Sequence, residues 1–438
     1  MGKPKLIKLK NGATIIYKRR KMCNASAVNV GFFVGHKDCQ DFMPGLSHFM
    51  EHSLFLGTIN RTKQQIKNEQ CKHYINASTN HLKLDVKFFV SNREIKDTLD
   101  FVSDILLNSS FPEEEIKNEL GVVFEERELR KSEFAHDFPF QHMLTLYGDN
   151  YFDMDAIIGN ENDLGKVTSS DLFAFRNKYF TVDNFFCAIT TSLPYYKVKK
   201  LINKYFISHI ENKHCPKDHD RHFLSQIVKP RVKIVNDNTM SSFKIKITNV
   251  FKAKKEEFLY DNTIDFLNWF NYMHVDNFYK KARDLGLIYA GSQSIINLNA
   301  REFCFNEFKF ETSKFENIET VLKLINENIN YIKSVKITNE DIKTFIEKEC
   351  IDHDKAFPLA YKTVNYNMLD DYCFLDKLVP ITFKQRLKQM KKITVSQVED
   401  LIKRIYNQNN DFYITIMGPT DNLDFKTLKE YKKILFKK

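Results

Sequence analysis

The chain lacks any apolar run long enough to cross a bilayer; its longest apolar stretches, such as HFMEHSLFLG, are short and interrupted by charge. The basic opening stretch, MGKPKLIKLKNGATIIYKRRK, contains no hydrophobic core of the kind a signal peptide needs. Leu6 stands where a myristoylation signal places Ser or Thr. These absences lead to the expectation of a cytoplasmic protein with no membrane partner. The eight cysteines (Cys23, Cys39, Cys71, Cys187, Cys215, Cys304, Cys350 and Cys373) form no CxxC pair, which argues against a cysteine zinc site and fits reduced thiols. A continuous basic stripe is missing as well. The net charge of +10 sits on lysines interleaved with acids, as in KAKKEE and NEDIKTFIEKE, so no nucleic-acid partner is expected. An acidic peptide partner would suit the charge.

What is present is the composition of a soluble globular protein, 43% hydrophobic and 28% charged, over 438 residues. That length exceeds what one core organises, so two or more domains are expected. Apolar alternation predicts strands near Ala13–Lys18, Ala27–Phe33, Tyr74–Ser78 and Leu82–Val90. Helical periodicity predicts helices over Leu46–Phe55, Lys63–Cys71, Ile95–Leu107 and from Pro112 to about Ser132. Glu113, Glu114 and Glu115 after Pro112 complement the positive end of that last helix. A helix over Ser169–Tyr179 and a strand over Phe185–Thr190 follow.

Ile207 to Pro230 is polar, has two prolines and no clean period, and reads as a linker. Its histidines, His209, His214, His219 and His222, fit no metal spacing. Beyond it come strands near Val232–Val235, Ser242–Val250, Leu287–Ile296 and Glu302–Glu311, with helices over Glu256–Phe270, Phe315–Ile332 and Asn339–Glu349. VTSSDLFAFRNKYFTVDNFFCAIT, from Val167, matches ITVSQVEDLIKRIYNQNNDFYITI, from Ile393, in order and type. The expected organisation is a domain over 1–206, a linker over 207–230 and a related domain over 231–438.

The stretch GLSHFMEHSLFLGT, Gly45 to Thr58, carries the chemistry. On a helix His48 and His52 lie one turn apart with Glu51 beside them, and each is costly to bury without a partner. Two imidazoles so placed reach one zinc ion at about 2.0–2.1 Å, and the order H-x-x-E-H is the inverzincin signature. The alternative is a helix whose histidines are satisfied by backbone or solvent. A catalytic zinc takes a third protein ligand and leaves a fourth position for water. NELGVVFEERELRKSE offers Glu119, Glu125, Glu126 and Glu128. Glu119 and Glu126 lie two turns apart on a half-buried face, so Glu126 is assigned as metal ligand and Glu119 as its supporting companion. Glu125 and Glu128 fit an exposed acidic face paired with Arg127 and Arg130.

These motifs resemble those of the pitrilysin/insulinase peptidases, a family that includes mitochondrial processing peptidase and many bacterial zinc proteases. ELGVVFEE resembles the family's E-x6-E segment, whose second Glu is the third zinc ligand. INASTNHLKLDVKFFV resembles the edge strand that holds extended substrate, which points to Asn76, Ala77 and Ser78 as substrate-binding residues. LGLIYAGSQS resembles the segment whose Arg and Tyr contact the scissile carbonyl, here Arg283 and Tyr289, with Arg283 one position closer to the tyrosine than is usual. The resemblance implies an α+β fold of two related domains, each a mostly antiparallel sheet packed with helices, forming half of a clamshell chamber. It implies a zinc endopeptidase acting on unfolded or presequence-like peptides, with one zinc per chain and Glu51 and Glu119 in catalytic roles. A homodimer is the simplest assembly it implies; a heterodimer with a zinc-less relative is the other. The rival reading is a non-catalytic scaffold subunit of the same fold.

Overall fold

A computed structural model of the chain describes residues 5–21, 24–39, 41–73, 75–80, 82–148, 157–211, 213–215, 227–252, 262–273, 277–297, 303–356 and 383–436. The expected linker residues 216–226, residues 256–261 of an expected helix, Tyr74 and Glu302 lie outside the described residues. Two compact units divide the described chain. One takes residues 5–132 and 157–215; the other takes 133–148, 227–355 and 383–436. The second unit thus claims a piece of chain, from Glu133 to Gly148, that precedes the expected linker.

The first unit is built on a six-stranded sheet: β1 (Lys5–Lys8), β2 (Thr14–Arg19), β3 (Ala25–Phe32), β4 (Asn76–Thr79), β5 (Leu84–Ser91) and β6 (Phe185–Thr191), in the order β1-β2-β6-β3-β5-β4. Every pairing is antiparallel except β2 with β6, which is parallel. The period-2 alternation decides which side chains face the helices. Ile15 and Tyr17, Val28 and Val30, Val86 and Phe88, and Cys187 and Ile189 share the main core; Ile16, Phe186 and Ala188 form a smaller cluster with Phe33. All seven residues of β6 are buried, as befits a strand covered on both faces.

Helices α1 (Leu46–Ser53), α2 (Lys63–His73), α3 (Ile95–Leu107), α4 (Glu113–His136), α6 (Ser169–Tyr179) and α7 (Tyr195–Ile202) belong to this unit, except for the end of α4. That end, from Glu133, and α5 (Phe138–Tyr147) belong to the second unit. Sequence periodicity did not single out α5, yet its start carries two signals. Asp137 caps it by accepting from the Phe140 N–H at 2.9 Å, and Pro139 lies in its first turn.

The second unit repeats the plan: β7 (Val232–Asn236), β8 (Phe243–Lys252), β9 (Ala290–Asn297), β10 (Phe303–Thr312) and β11 (Asp411–Gly418), in the order β7-β11-β8-β10-β9. Again one pair is parallel, here β7 with β11. Helices α8 (Asn262–Met273), α9 (Phe278–Asp284), α10 (Asn317–Ser334), α11 (Asn339–Ala356), α12 (Phe383–Met390), α13 (Val395–Ile405) and α14 (Leu428–Leu435) accompany this sheet. The matched sequence segments fold alike. α6 and α13 each span 11 residues, each opens with a capping box, on Thr168 and Thr394, and each leads to a strand near the sheet centre. The fold is α+β with two sheets, each mostly antiparallel. The lone tryptophan, Trp269 on α8, packs against Phe266 and Phe345 in the second core. No helix among the described residues is long and apolar enough to cross a membrane, and the six described cysteines are free thiols.

Candidate metal centre

Helix α1 begins where the backbone permits nothing but glycine. Gly45 has φ 81°, and a Cβ there would lie 2.4 Å from the Cα of Gly159. The approach of these two backbones fixes where α1 starts. Leu46, Ser47, Phe49, Met50 and Ser53 then face inward. His48, Glu51 and His52 occupy the other flank and are only partly buried. Their ring centroids place the two imidazoles 4.7 Å apart.

Helix α4 supplies the carboxylates. Glu126 Oε2 lies 3.7 Å from His48 Nε2 and 3.5 Å from His52 Nε2. One turn pair earlier, Glu119 Oε1 accepts from His52 Nδ1 at 2.9 Å. Lys63 on α2 in turn holds Glu115 at 2.6 Å and stands 3.8 Å from Glu119 Oε2. The result is a relay of orientation from Lys63 to Glu119 to the imidazole, which leaves His52 Nε2 as the nitrogen facing Glu126. One ligand atom from each of His48, His52 and Glu126 lies within 4.8 Å of the others. Tetrahedral ligands of one zinc are about 3.3 Å apart, so the two His–Glu gaps are already near the required size.

The protonation states fit a cation. Burial and the neighbouring His52 push the His48 imidazole down to about 4, so it is neutral and keeps a lone pair for a metal. His48 Nδ1 is buried without a hydrogen-bond partner. Its other nitrogen, Nε2, faces Glu126 at 3.7 Å and is the one that would take a metal, whose coordination would offset the desolvation of the ring. Burial opposes charge on His52 also, but Glu119 and Glu126 outweigh it and raise that ring to about 9. The hydrogen bond from His52 holds Glu119 below the usual carboxylate range, and the same ring brings Glu126 down to about 2. The site is anionic enough to retain a proton where a divalent ion would sit. Burial moves Glu51 the other way, upward, although His52 and a hydrogen bond from Thr79 pull it down. Glu51 is therefore the basic carboxylate of the group.

The edge strand lies beside this helix. Among the described residues β4 pairs with β5 alone, and Thr79 at its end reaches the Ser47 carbonyl of α1 at 3.5 Å. Asn76 is exposed, Ala77 buried, and Ser78 donates to Asp85 at 2.7 Å. Glu125 is exposed, and Glu128 pairs with Arg127 at 2.9 Å. Arg283 and Tyr289 belong to the second unit. Tyr289 is 84% exposed just before β9, which excludes a core role for its ring. Arg283, near the end of α9, donates to the Tyr279 hydroxyl at 2.7 Å, while Ala282, at the family's usual spacing, is fully buried. Sequence reasoning gave no role to Thr79 and Lys63, although both lie within segments it did identify.

Comparisons with known proteins bear on the family and the fold. Residues 14–146 match the family model described as Insulinase (Peptidase family M16), and residues 166–348 match the one described as Peptidase M16 inactive domain. An uncharacterized zinc protease of Rickettsia bellii is 28% identical over 207 residues, covering 46% of this chain and 49% of that protein. The mitochondrial-processing peptidase subunit beta of Neurospora crassa is 26% identical over 201 residues, covering 45% and 42%. The chain thus spans about half the length of the curated relatives it matches. Among solved structures, the first half of the periplasmic protease PqqL from Escherichia coli has a TM-score of 0.79 at 14% identity, covering 100% of this chain and 97% of that one. The peptidase M16 inactive domain from Pseudomonas fluorescens has a TM-score of 0.72 at 14% identity, covering 96% and 99%. At that identity the likeness is one of fold.

Proposed function

Because the chain belongs to the insulinase family of peptidases, with that family's model over residues 14–146 and its inactive-domain model over 166–348, we propose that it is a zinc-dependent endopeptidase that hydrolyses unfolded or presequence-like peptides. The observation that carries this is the convergence of one atom each from His48, His52 and Glu126 within 4.8 Å, on two helices that share no sequence neighbourhood. Those three residues would hold one zinc ion. When bound, zinc supplies Lewis-acid chemistry, polarising a carbonyl and lowering the pKa of a coordinated water towards about 7.

The protein's own groups do the rest. Glu51, kept basic by burial, takes the proton of the attacking water and delivers it to the leaving amine. Thr79 fixes that carboxylate by hydrogen bonding. Glu119 holds the His52 ring in the tautomer with its proton on Nδ1. Among the described residues β4 stands at the edge of its sheet, so Asn76, Ala77 and Ser78 can add an extended peptide as a further strand. Such pairing reads backbone, not side chains, which is why unfolded peptides are the substrate class. The assembly proposed is a homodimer, in which Tyr289, exposed, and Arg283 of one chain are donors offered to the substrate carbonyl at the zinc of the partner.

The test joins two measurements on the purified chain: zinc content, and cleavage of a quenched-fluorescence peptide library by wild type and Glu51→Gln. The expected outcome is about one zinc in both proteins, with turnover only in wild type. Zinc-free wild type, or cleavage undiminished in Glu51→Gln, overturns the proposal. A zinc-loaded wild type that cleaves nothing favours the scaffold subunit.

A further inference from the structure

The two oxygens of Glu126 have different neighbours. Oε2 is the one that faces both imidazoles, at 3.7 and 3.5 Å. The other oxygen, Oε1, is the one nearest the guanidinium of Arg130, one turn further along α4, which stands 3.5 Å from it through Nε. The i,i+4 spacing makes this placement a property of the helix itself. Arg130 is thus a charged neighbour of the oxygen other than the one nearest His48 and His52, and its side chain is 49% exposed.

We infer that Arg130 is a positioning residue that restricts Glu126 to one-oxygen ligation of the metal. This rests on the zinc-peptidase reading and deepens it. Two imidazole nitrogens and one carboxylate oxygen leave the fourth position of a tetrahedral zinc open for water. A carboxylate free to turn binds a metal through both oxygens, which raises the coordination number and crowds the position water needs. A guanidinium occupying Oε1 opposes that turn. As an exposed residue, Arg130 can be replaced without opening the core.

Cobalt(II) gives a readout of this that activity does not. Four-coordinate cobalt absorbs visible light more strongly than five-coordinate cobalt, so substituting it for zinc reports the number of ligands. Three full-length proteins are compared: wild type, Arg130→Met and Arg130→Lys. The expected result is an intense four-coordinate spectrum in wild type, clear loss of intensity in Arg130→Met, and recovery in Arg130→Lys, whose ammonium also reaches Oε1. With zinc restored, kcat should fall in Arg130→Met with KM little changed. Wild-type and Arg130→Met spectra of equal intensity would overturn the role of Arg130 while leaving the metal site standing. Failure of wild type to bind either metal would overturn the zinc reading itself.

Discussion

At the scale of single residues, the division of labour among four acids sets what each substitution does. Glu126 and Glu119 both sit near imidazoles, but only Glu126 offers an oxygen to the space between them. Glu119→Gln should therefore retain the metal with affinity lowered about 10- to 100-fold, the usual effect of losing a partner behind a ligand. Competition against a chromophoric chelator measures it, and unchanged affinity would mean that Glu119 does not orient His52. Glu51→Gln belongs to a different class: its turnover should fall by about 10²- to 10⁴-fold with metal content intact. Away from the site, buried Asp104 accepts from Thr58 at 2.7 Å, Asn60 at 2.6 Å, Arg61 at 2.6 Å and Asn108 at 2.9 Å. Burial alone would raise its pKa, but these donors outweigh it and hold the carboxyl below its ordinary value. A depressed folded pKa stabilises the fold above the unfolded value, about 3.9, and that contribution disappears as pH falls through the folded value. The stability gap between wild type and Asp104→Asn, read from urea midpoints, should be constant above about pH 5 and shrink below about pH 4.

Much of the centre was legible at this scale because helical spacing is local. Four residues apart means one face, so His48 with His52, and Glu119 with Glu126 seven apart, follow from the chain alone. That α1 and α4 pack with those faces opposed does not follow. Like the meeting of Gly45 with Gly159, residues more than a hundred positions apart, it is a tertiary contact that no periodicity records. The contacts of Lys63 and Thr79 were hidden for the same reason.

Elements show the same split between local and distant causes. Most strands and longer helices announced themselves by period, though β1 did not, and α13 showed through the match of its segment to that of α6. The parallel pairings of β2 with β6 and of β7 with β11 join ends of each unit that only the folded topology brings together. α5 stayed unseen although Asp137 and Pro139 mark its start. The start of α1 yields a sharp expectation. Gly45→Ala forces a left-handed backbone on alanine, costing about 1–2 kcal/mol, and adds an overlap with Gly159 that only backbone movement relieves. Its urea midpoint should fall by more than the backbone cost alone, and zinc affinity should fall with it. An alanine variant as stable as wild type would show that α1 begins elsewhere. For β4, peptides N-methylated at alternate backbone positions distinguish strand addition from side-chain recognition: one of the two methylation registers should bind more weakly.

At the scale of the whole molecule, each unit has its own sheet and its own hydrophobic core. Independent cores favour separate cooperative transitions. Thr168→Ala and Thr394→Ala remove equivalent caps from α6 and α13, each worth about 1 kcal/mol. They should lower different transitions in a calorimetric scan, Thr168→Ala that of the first unit and Thr394→Ala that of the second. Removing zinc with a chelator should lower the first alone, since bound metal stabilises only the unit that holds it. A single transition shifted by all three treatments would show that the units melt as one.

Trp269 gives these experiments an unplanned asymmetry. With one indole in 438 residues, and that one among Phe266 and Phe345 in the second core, intrinsic emission watches half of the protein and is blind to the half with the histidines. Titrating zinc should leave it dark to binding. Any change in brightness or colour on metal addition would then be an optical signal that one half senses the other.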